Sequence, residues 1–194
     1  MAKASKPVPD GLHTITLQLT LDNAAQSIDW YKRALGAQEM GRSSSPDGKI
    51  MHAELAIGDS RIYVNDVMAG GRGPKAMGGS PASLWLYVEN CDTLFNRAVS
   101  AGGTVQMPMS DQFWGDRAGA FADPEGYTWW IATRKEEFSK QEMEERAAEF
   151  FKQAQHAPNE LNELNELNEL NELNELNELN EPDEPRLVSI PHKR

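Results

Sequence analysis

The chain has 194 residues, 39% of them apolar and 25% charged, with one cysteine and a formal net charge of −11. A lone Cys91 excludes an intrachain disulfide framework, and no stretch approaches the ~20 apolar residues of a membrane span. Residues 159–194 hold −7 of the charge, which leaves −4 for the body, and no Lys/Arg stripe suited to tracking phosphates is visible. These features predict a cytoplasmic globular protein with neither nucleic-acid nor membrane partners.

In chain order, residues 1–10 form a polar, proline-bearing arm without an apolar run of signal length. From Leu12 to Leu21 the Thr, Ile and Leu residues alternate as in a strand, and the Asp-Asn pair at 22–23 supplies a helix cap. Ala24, Ile28, Tyr31 and Leu35 then make one apolar helical stripe, which Gly36 ends. Strand patterns follow at about 38–43, 50–57 and 61–66, separated by "SPDG" and "GDS" turns. A glycine-rich stretch, "MAGGRGPKAMGGSP" at 68–81, reads as a flexible connection.

The same order then returns. A strand at 83–88 leads to a cap at Asp92, a helix with Leu94, Ala98 and Ala101 in register, a Gly-Gly stop at 102–103, and strands at about 104–108, 117–122 and 127–133. Gly36 and Gly103 are 67 residues apart, and the turn glycines Gly58 and Gly126 are 68 apart. The predicted fold is therefore α+β: two β-α-β-β-β modules, at 11–67 and 82–135, forming a curved sheet around a groove. A further helix is expected within 136–157, where "SKQE" is a capping box and Met143, Ala147, Phe150, Phe151 and Ala154 share a side. Seven Asn-Glu-Leu triplets at 159–179 give no fixed apolar stripe on an α-helix, so 158–194 is expected to be a repeat and flexible tail without a catalytic role.

The period of two sorts each strand into faces. Ile15, Leu17, Leu19 and Leu21 oppose Thr14, Thr16, Gln18 and Thr20. Met51, Ala53, Leu55 and Ile57 oppose His52 and Glu54; Ile62 and Val64 oppose Arg61, Tyr63 and Asn65; Leu84, Leu86 and Val88 oppose Ser83, Trp85 and Tyr87. The aliphatic faces suit helix packing, and the opposite faces are polar mixed with aromatic. The adjacent pair Trp129–Trp130 must divide, Trp129 toward the helices and Trp130 toward the groove. Aromatics plus a few polar groups are the usual lining of a small-molecule site.

The stretches "TLDNAAQSIDWYKRALGAQE", "MHAELAIGDSRIYVND" and "VENCDTLFNRAVSAGGTVQMPMSDQFWGDRAGAFADPEGYTWWIATR" resemble the vicinal-oxygen-chelate superfamily, which includes glyoxalase I, extradiol dioxygenases and bleomycin-resistance proteins. Together with "KEEFSKQEMEERAAEFF" they look most like its phosphonate-operon-B branch, also labelled demethylubiquinone-methyltransferase-like. The resemblance implies paired modules and a homodimer. It places the three metal-ligand positions on Thr16, Ser83 and Trp130. Hydroxyls are poor ligands for a divalent ion and an indole has no acceptor, so neither a metal nor another cofactor is expected.

His52 and Glu54, at i and i+2 on the groove face, are the candidate acid–base pair or two ligands of a relocated metal, the alternative being a solvated or hydrogen-bonded pair that tunes the groove's polarity. His13 reads as a strand-end residue and Cys91 as an ordinary thiol. In the "DQFWGDR" loop, Trp114 and Arg117 are candidates to grip a ligand, the alternative being an Asp116–Arg117 brace. The expected ligand-binding set is thus Thr16, Gln18, Tyr63, Ser83, Trp85, Tyr87, Trp114, Arg117 and Trp130. The leading expectation is a metal-independent binder that sequesters an aromatic or cationic compound. An enzyme using His52 and Glu54, as a lyase, isomerase or metal-dependent dioxygenase-like catalyst, and a protein-interaction module remain as alternatives.

Overall fold

A computed structural model describes residues 6–154. The first residues of the arm and the Asn-Glu-Leu repeat lie outside the described residues. Residues up to Ser139 form one compact unit and those from Lys140 a second. In the second, residues 140–154 are a single helix, with the Phe150 and Phe151 rings edge to face at 5.6 Å.

The first unit contains two copies of one module. Strand β1 (Leu17–Leu21), helix α1 (Ala24–Leu35), β2 (Gln38–Ser44), β3 (Ile50–Ile57) and β4 (Ser60–Asp66) make the first copy. After a helical turn α2 (Pro74–Met77), β5 (Ser83–Tyr87), α3 (Cys91–Ser100), β6 (Thr104–Asp111), β7 (Asp116–Ala122) and β8 (Thr128–Arg134) make the second. The sheets have orders β1-β4-β3-β2 and β5-β8-β7-β6, each with one parallel pair, β1 with β4 and β5 with β8.

Both helices start from equivalent caps. Asn23 accepts from the Gln26 amide and Asn90 from the Thr93 amide. The cap of the second helix is thus Asn90, not Asp92, which lies in the first turn. Gly36 closes α1 in the left-handed conformation, at φ 73°, that a residue with a Cβ rarely adopts. The first strand is shorter than its alternation suggests: residues 12–16 carry no ladder, and Ile15 is 87% exposed.

The core lies where the aliphatic sheet faces meet the helices, with Leu19, Leu21, Ala53, Leu55, Ile62, Val64, Trp129 and Ile131 all buried. One strand departs from plain alternation. A register shift between Ser43 and Ser44 sets Ser44 opposite Ile50 and Ser43 opposite His52, so Met51 has no partner. Ile50 is buried in its place and Met51 faces outward.

The modules join through repeat-equivalent contacts. Trp30 Nε1 donates to the Ala101 carbonyl at 2.9 Å, and Arg97 Nε donates to the Ala34 carbonyl at 2.8 Å. Each satisfies a C-terminal carbonyl of the other helix. The turn before β8 completes the joint: Asp123 accepts from Tyr31 Oη at 2.7 Å and Trp129 Nε1 at 2.9 Å, and Glu125 accepts from the Asp22 amide at 2.8 Å. Burial pushes the Asp123 carboxyl up despite these donors, and burial together with the Asp123 charge pushes the Tyr31 hydroxyl well up. The connection at 68–81 is not merely flexible. Pro74 is fully buried, and a Cβ added to Gly126 would stand 3.4 Å from its own Cβ.

Candidate aromatic binding face and adjoining cleft

The sheet faces turned away from the helices carry the candidate residues, and the two modules present different chemistry. On the first sheet the groups are satisfied within the protein. Gln18 Nε2 donates to Asn65 Oδ1 at 2.8 Å, Arg61 Nη1 donates to Glu54 Oε1 at 2.6 Å, and His52 packs on the Tyr63 ring at 4.5 Å. Glu54 is therefore bound to Arg61, and His52 is held against Tyr63.

On the second sheet, Trp85 and Trp130 are direct partners on the parallel pair β5–β8. Strand spacing of about 4.8 Å matches a ring-stacking distance, and the indoles lie 4.7 Å apart at an angle of 4°. Tyr87, two residues along, continues the array at 6.2 Å and 24°. Trp85 is 42% exposed and Tyr87 58%, whereas Trp129 on the other face is 1% exposed.

Asp116 anchors this array. Its side chain is inaccessible, and its Oδ2 accepts from Tyr87 Oη at 2.9 Å and from Trp114 Nε1 at 3.0 Å. Arg134 Nε lies 2.8 Å from Oδ1, an ion pair that does not meet hydrogen-bond alignment. Partial burial of the hydroxyl, with the Asp116 carboxylate second, raises the Tyr87 pKa. Ala118, Ala120 and Ala132 are buried beside it, outside the main core cluster, and leave the ground next to Trp130 low.

Arg117 is a correction. Strand β7 begins at Asp116, so the two neighbours point to opposite faces and form no brace with each other. Arg117 lies on the helix side, paired through Nε and Nη2 to the Asp92 carboxylate at 2.7 and 2.8 Å and reaching Asp111 at 3.3 Å. That pairing holds Asp92 below the usual carboxylate range and raises the guanidinium. The array thus gathers Trp85, Tyr87, Trp114 and Trp130. Gln18 and Tyr63 are on the other sheet, Thr16 precedes β1, and Ser83 is exposed at the start of β5.

The residues at the expected metal positions do not fit a metal. Thr16 and Ser83 offer only hydroxyls, and the Trp130 ring is occupied by Trp85. Among the described residues no group of three or more His, Cys, Asp or Glu side chains is placed to hold one. No helix among the described residues is long and apolar enough to cross a membrane.

Beyond the free edge of β5 opens a cleft of about 770 Å³, walled by Trp85, Leu86, Tyr87 and Val88, the Ile57–Ser60 turn, and Leu94 and Arg97 of α3. Sequence reasoning missed Asp116 as the anchor of the array and Arg97 as a cleft residue. The pairing of Asp116 with Arg134 across β7–β8 follows from alternation once the strand start is known.

Two β-α-β-β-β modules packed through their helices, with polar and aromatic sheet faces left over, define a paired-module α+β protein. The chain belongs to the Glyoxalase/Bleomycin resistance protein/Dioxygenase superfamily, whose family model matches residues 11–131. It is 40% identical over 131 residues to an uncharacterized protein of Mycobacterium tuberculosis, covering 65% of this chain and 77% of that one. A solved protein of Pseudomonas aeruginosa is 27% identical with a TM-score of 0.54, covering 64% of this chain and 100% of that one. The PhnB protein of Bacillus cereus, 18% identical with a TM-score of 0.50 over 62% of this chain and 99% of that one, shares the fold.

Proposed function

We propose that the protein binds a planar aromatic small molecule against the Trp85–Trp130 array, without a metal. The observation that carries this reading is the parallel indole stack at the rim of a sheet, with Trp85 42% exposed and Trp130 half-buried, on the face that the fold does not use for helix packing. Contiguous exposed aromatics mark binding surfaces, and a ring added to such a stack gains ~0.5–1.5 kcal/mol beyond its buried area. Of the two ligand types expected from the sequence, the aromatic one is favoured over the cationic one. The carboxylates of the sheet faces are already matched, Glu54 by Arg61 and Asp116 by Arg134.

Thr16, Ser83 and Trp130 at the ligand positions support independence from metal. A homodimer is part of the same proposal: Ile15, Met40, Met51 and Val105 are exposed apolar side chains, and β2 and β6 are open sheet edges. The test is a screen of planar aromatic compounds by thermal shift and Trp fluorescence, on the wild type and on Trp130→Ala. Binders whose affinity drops at least tenfold in the variant support the reading. Binders indifferent to Trp130, or none in a broad library, contradict it.

A further inference from the structure

The internal duplication lets each half of the molecule serve as a control for the other. An offset of 67 relates Gln26 to Thr93, Ser27 to Leu94 and Trp30 to Arg97, and the β7–β8 turn that carries Pro124 and Glu125 stands where the shorter β3–β4 turn carries Ile57 and Gly58. The first-named member of each pair lines a small cavity of about 270 Å³, and the second lines the cleft of about 770 Å³. The two cavities are the same place in the two halves.

The small one is small for visible reasons. The Trp30 indole is buried in its wall, the Glu125 side chain reaches across to the Asp22 amide, and the linker adds Lys75 beside the buried Pro74. In the large one the indole is replaced by a guanidinium, and the two-residue β3–β4 turn of Gly58 and Asp59 holds no counterpart of the Glu125 side chain. The cleft is the half of a duplicated joint from which the filling side chains have been removed.

Its lining indicates a ligand. Trp85 stacks on Trp130 of the neighbouring β8 at 4°, so its second ring face is turned away from β8, toward the open edge of β5. That is the side on which the cleft lies, with Leu86, Val88, Leu94 and Ile57 supplying apolar walls. Arg97 is held in place because its Nε donates to the Ala34 carbonyl at 2.8 Å. Its two Nη groups have no protein partner among the described residues, and they form the edge of a guanidinium that pairs with a carboxylate through two parallel bonds. The other charge on the cleft, Asp59, sits exposed at the tip of the β3–β4 turn and accepts from Ser60 Oγ at 3.0 Å. A single fixed guanidinium opposed by one rim carboxylate selects a monoanion over a dianion.

We infer that this cleft is a binding site for an aromatic monocarboxylate, its ring on the free face of Trp85 and its carboxylate on the Nη edge of Arg97. The inference rests on the stacking reading above and adds the charge of the ligand and the residue that reads it.

The experiment uses the full chain and two probes of equal ring size, 2-naphthoate and 2-naphthalenemethanol, titrated by calorimetry and Trp fluorescence. The carboxylate is expected to bind at least tenfold tighter than the alcohol. Arg97→Gln should erase that preference while leaving alcohol binding in place, and Asp59→Asn should strengthen carboxylate binding severalfold. Trp85→Ala should lose both probes. Because Arg97 also bridges the helices, Arg97→Lys serves as the second variant. It keeps the charge but loses the fork, and should retain part of the preference.

Equal binding of the two probes, or a preference unchanged in Arg97→Gln, overturns the inference and leaves the stacking reading standing. Failure of both probes, with planar aromatics failing in general, removes the stacking reading along with it. Sedimentation run beside the titrations covers the remaining occupant. A dimer that Arg97→Gln dissociates, with no probe bound, assigns the cleft to a second copy and overturns the inference as well.

Discussion

The two modules agree on the side that meets the helices and differ on the side that does not. With the offset of 67, Asn23 and Asn90 cap the two helices. The Ala24 amide donates to Asp66 where the Cys91 amide donates to Thr133, and Trp30 and Arg97 each reach the other helix's last turn. On the outer faces the cross-strand pair Gln18–Tyr63 of the first module is Trp85–Trp130 in the second. Packing constrains the shared side, since a core residue changed by one methylene is felt. The outer faces are released from that constraint, and there one copy has become a satisfied polar surface and the other an aromatic one.

The comparison breaks most visibly at the adjacent tryptophans. Trp129→Ala should cost roughly 3–5 kcal/mol of stability as a core truncation, read by denaturant unfolding. Trp130→Ala should cost much less and instead abolish ligand-induced fluorescence change. A variant Trp130→Ala that unfolds while Trp129→Ala stays folded and loses binding would invert the two faces.

Asp123→Asn probes the joint that both copies share. The carboxylate takes two amide donors, the Tyr31 hydroxyl and the Trp129 indole, so an amide NH₂ would be set against at least one N–H. The expected loss is ~1–3 kcal/mol in unfolding experiments, with ligand affinity unchanged for the folded fraction. A neutral substitution would mean that the two halves are not held at this point.

A smaller effect belongs to the first module alone. Hydrogen bonds from Arg42 and Lys32 lower the Glu39 carboxyl to about 2, below its unfolded value. A depressed acid contributes stability that is complete above the unfolded pKa of about 4.5 and is lost as pH falls toward 2. Glu39→Gln should therefore reduce stability at pH 7 by up to about 1 kcal/mol and flatten the acid limb of a melting curve between pH 4.5 and 2. An unchanged acid limb would show that the pair contributes nothing.

Most of this fold was legible because periodicity is stiff. A period of two separates Trp129 from Trp130 whatever else is unknown, and repeated glycine stops expose the duplication. The misreadings have physical causes. Asp92 is as good a cap residue as Asn90, and only the offset applied to Asn23 selects between them. The alternation of residues 12–16 is real, but the ladder with β4 begins at Leu17 and Ile62, so those residues have no partner strand. A loop imposes no alternation, so the sequence alone allows Asp116 and Arg117 to lie together, whereas β7 already starts at Asp116 and sends them to opposite faces. The Asp116 anchor, the Arg97 cleft and the bulge that trades Met51 for Ile50 depend on which strands are neighbours, which no single segment encodes.

The central claim is that the outward aromatic face of the second module, and not the buried core, receives a planar ligand. The most direct measurement is an indole N–H NMR spectrum of the ¹⁵N-labelled chain, in which the five tryptophans give five signals, recorded before and after addition of a planar aromatic binder. The account predicts large shifts for Trp85 and Trp130, a smaller one for Trp114, and none for Trp30 or Trp129. Shifts confined to Trp30 and Trp129, with Trp85 and Trp130 unmoved, would contradict it.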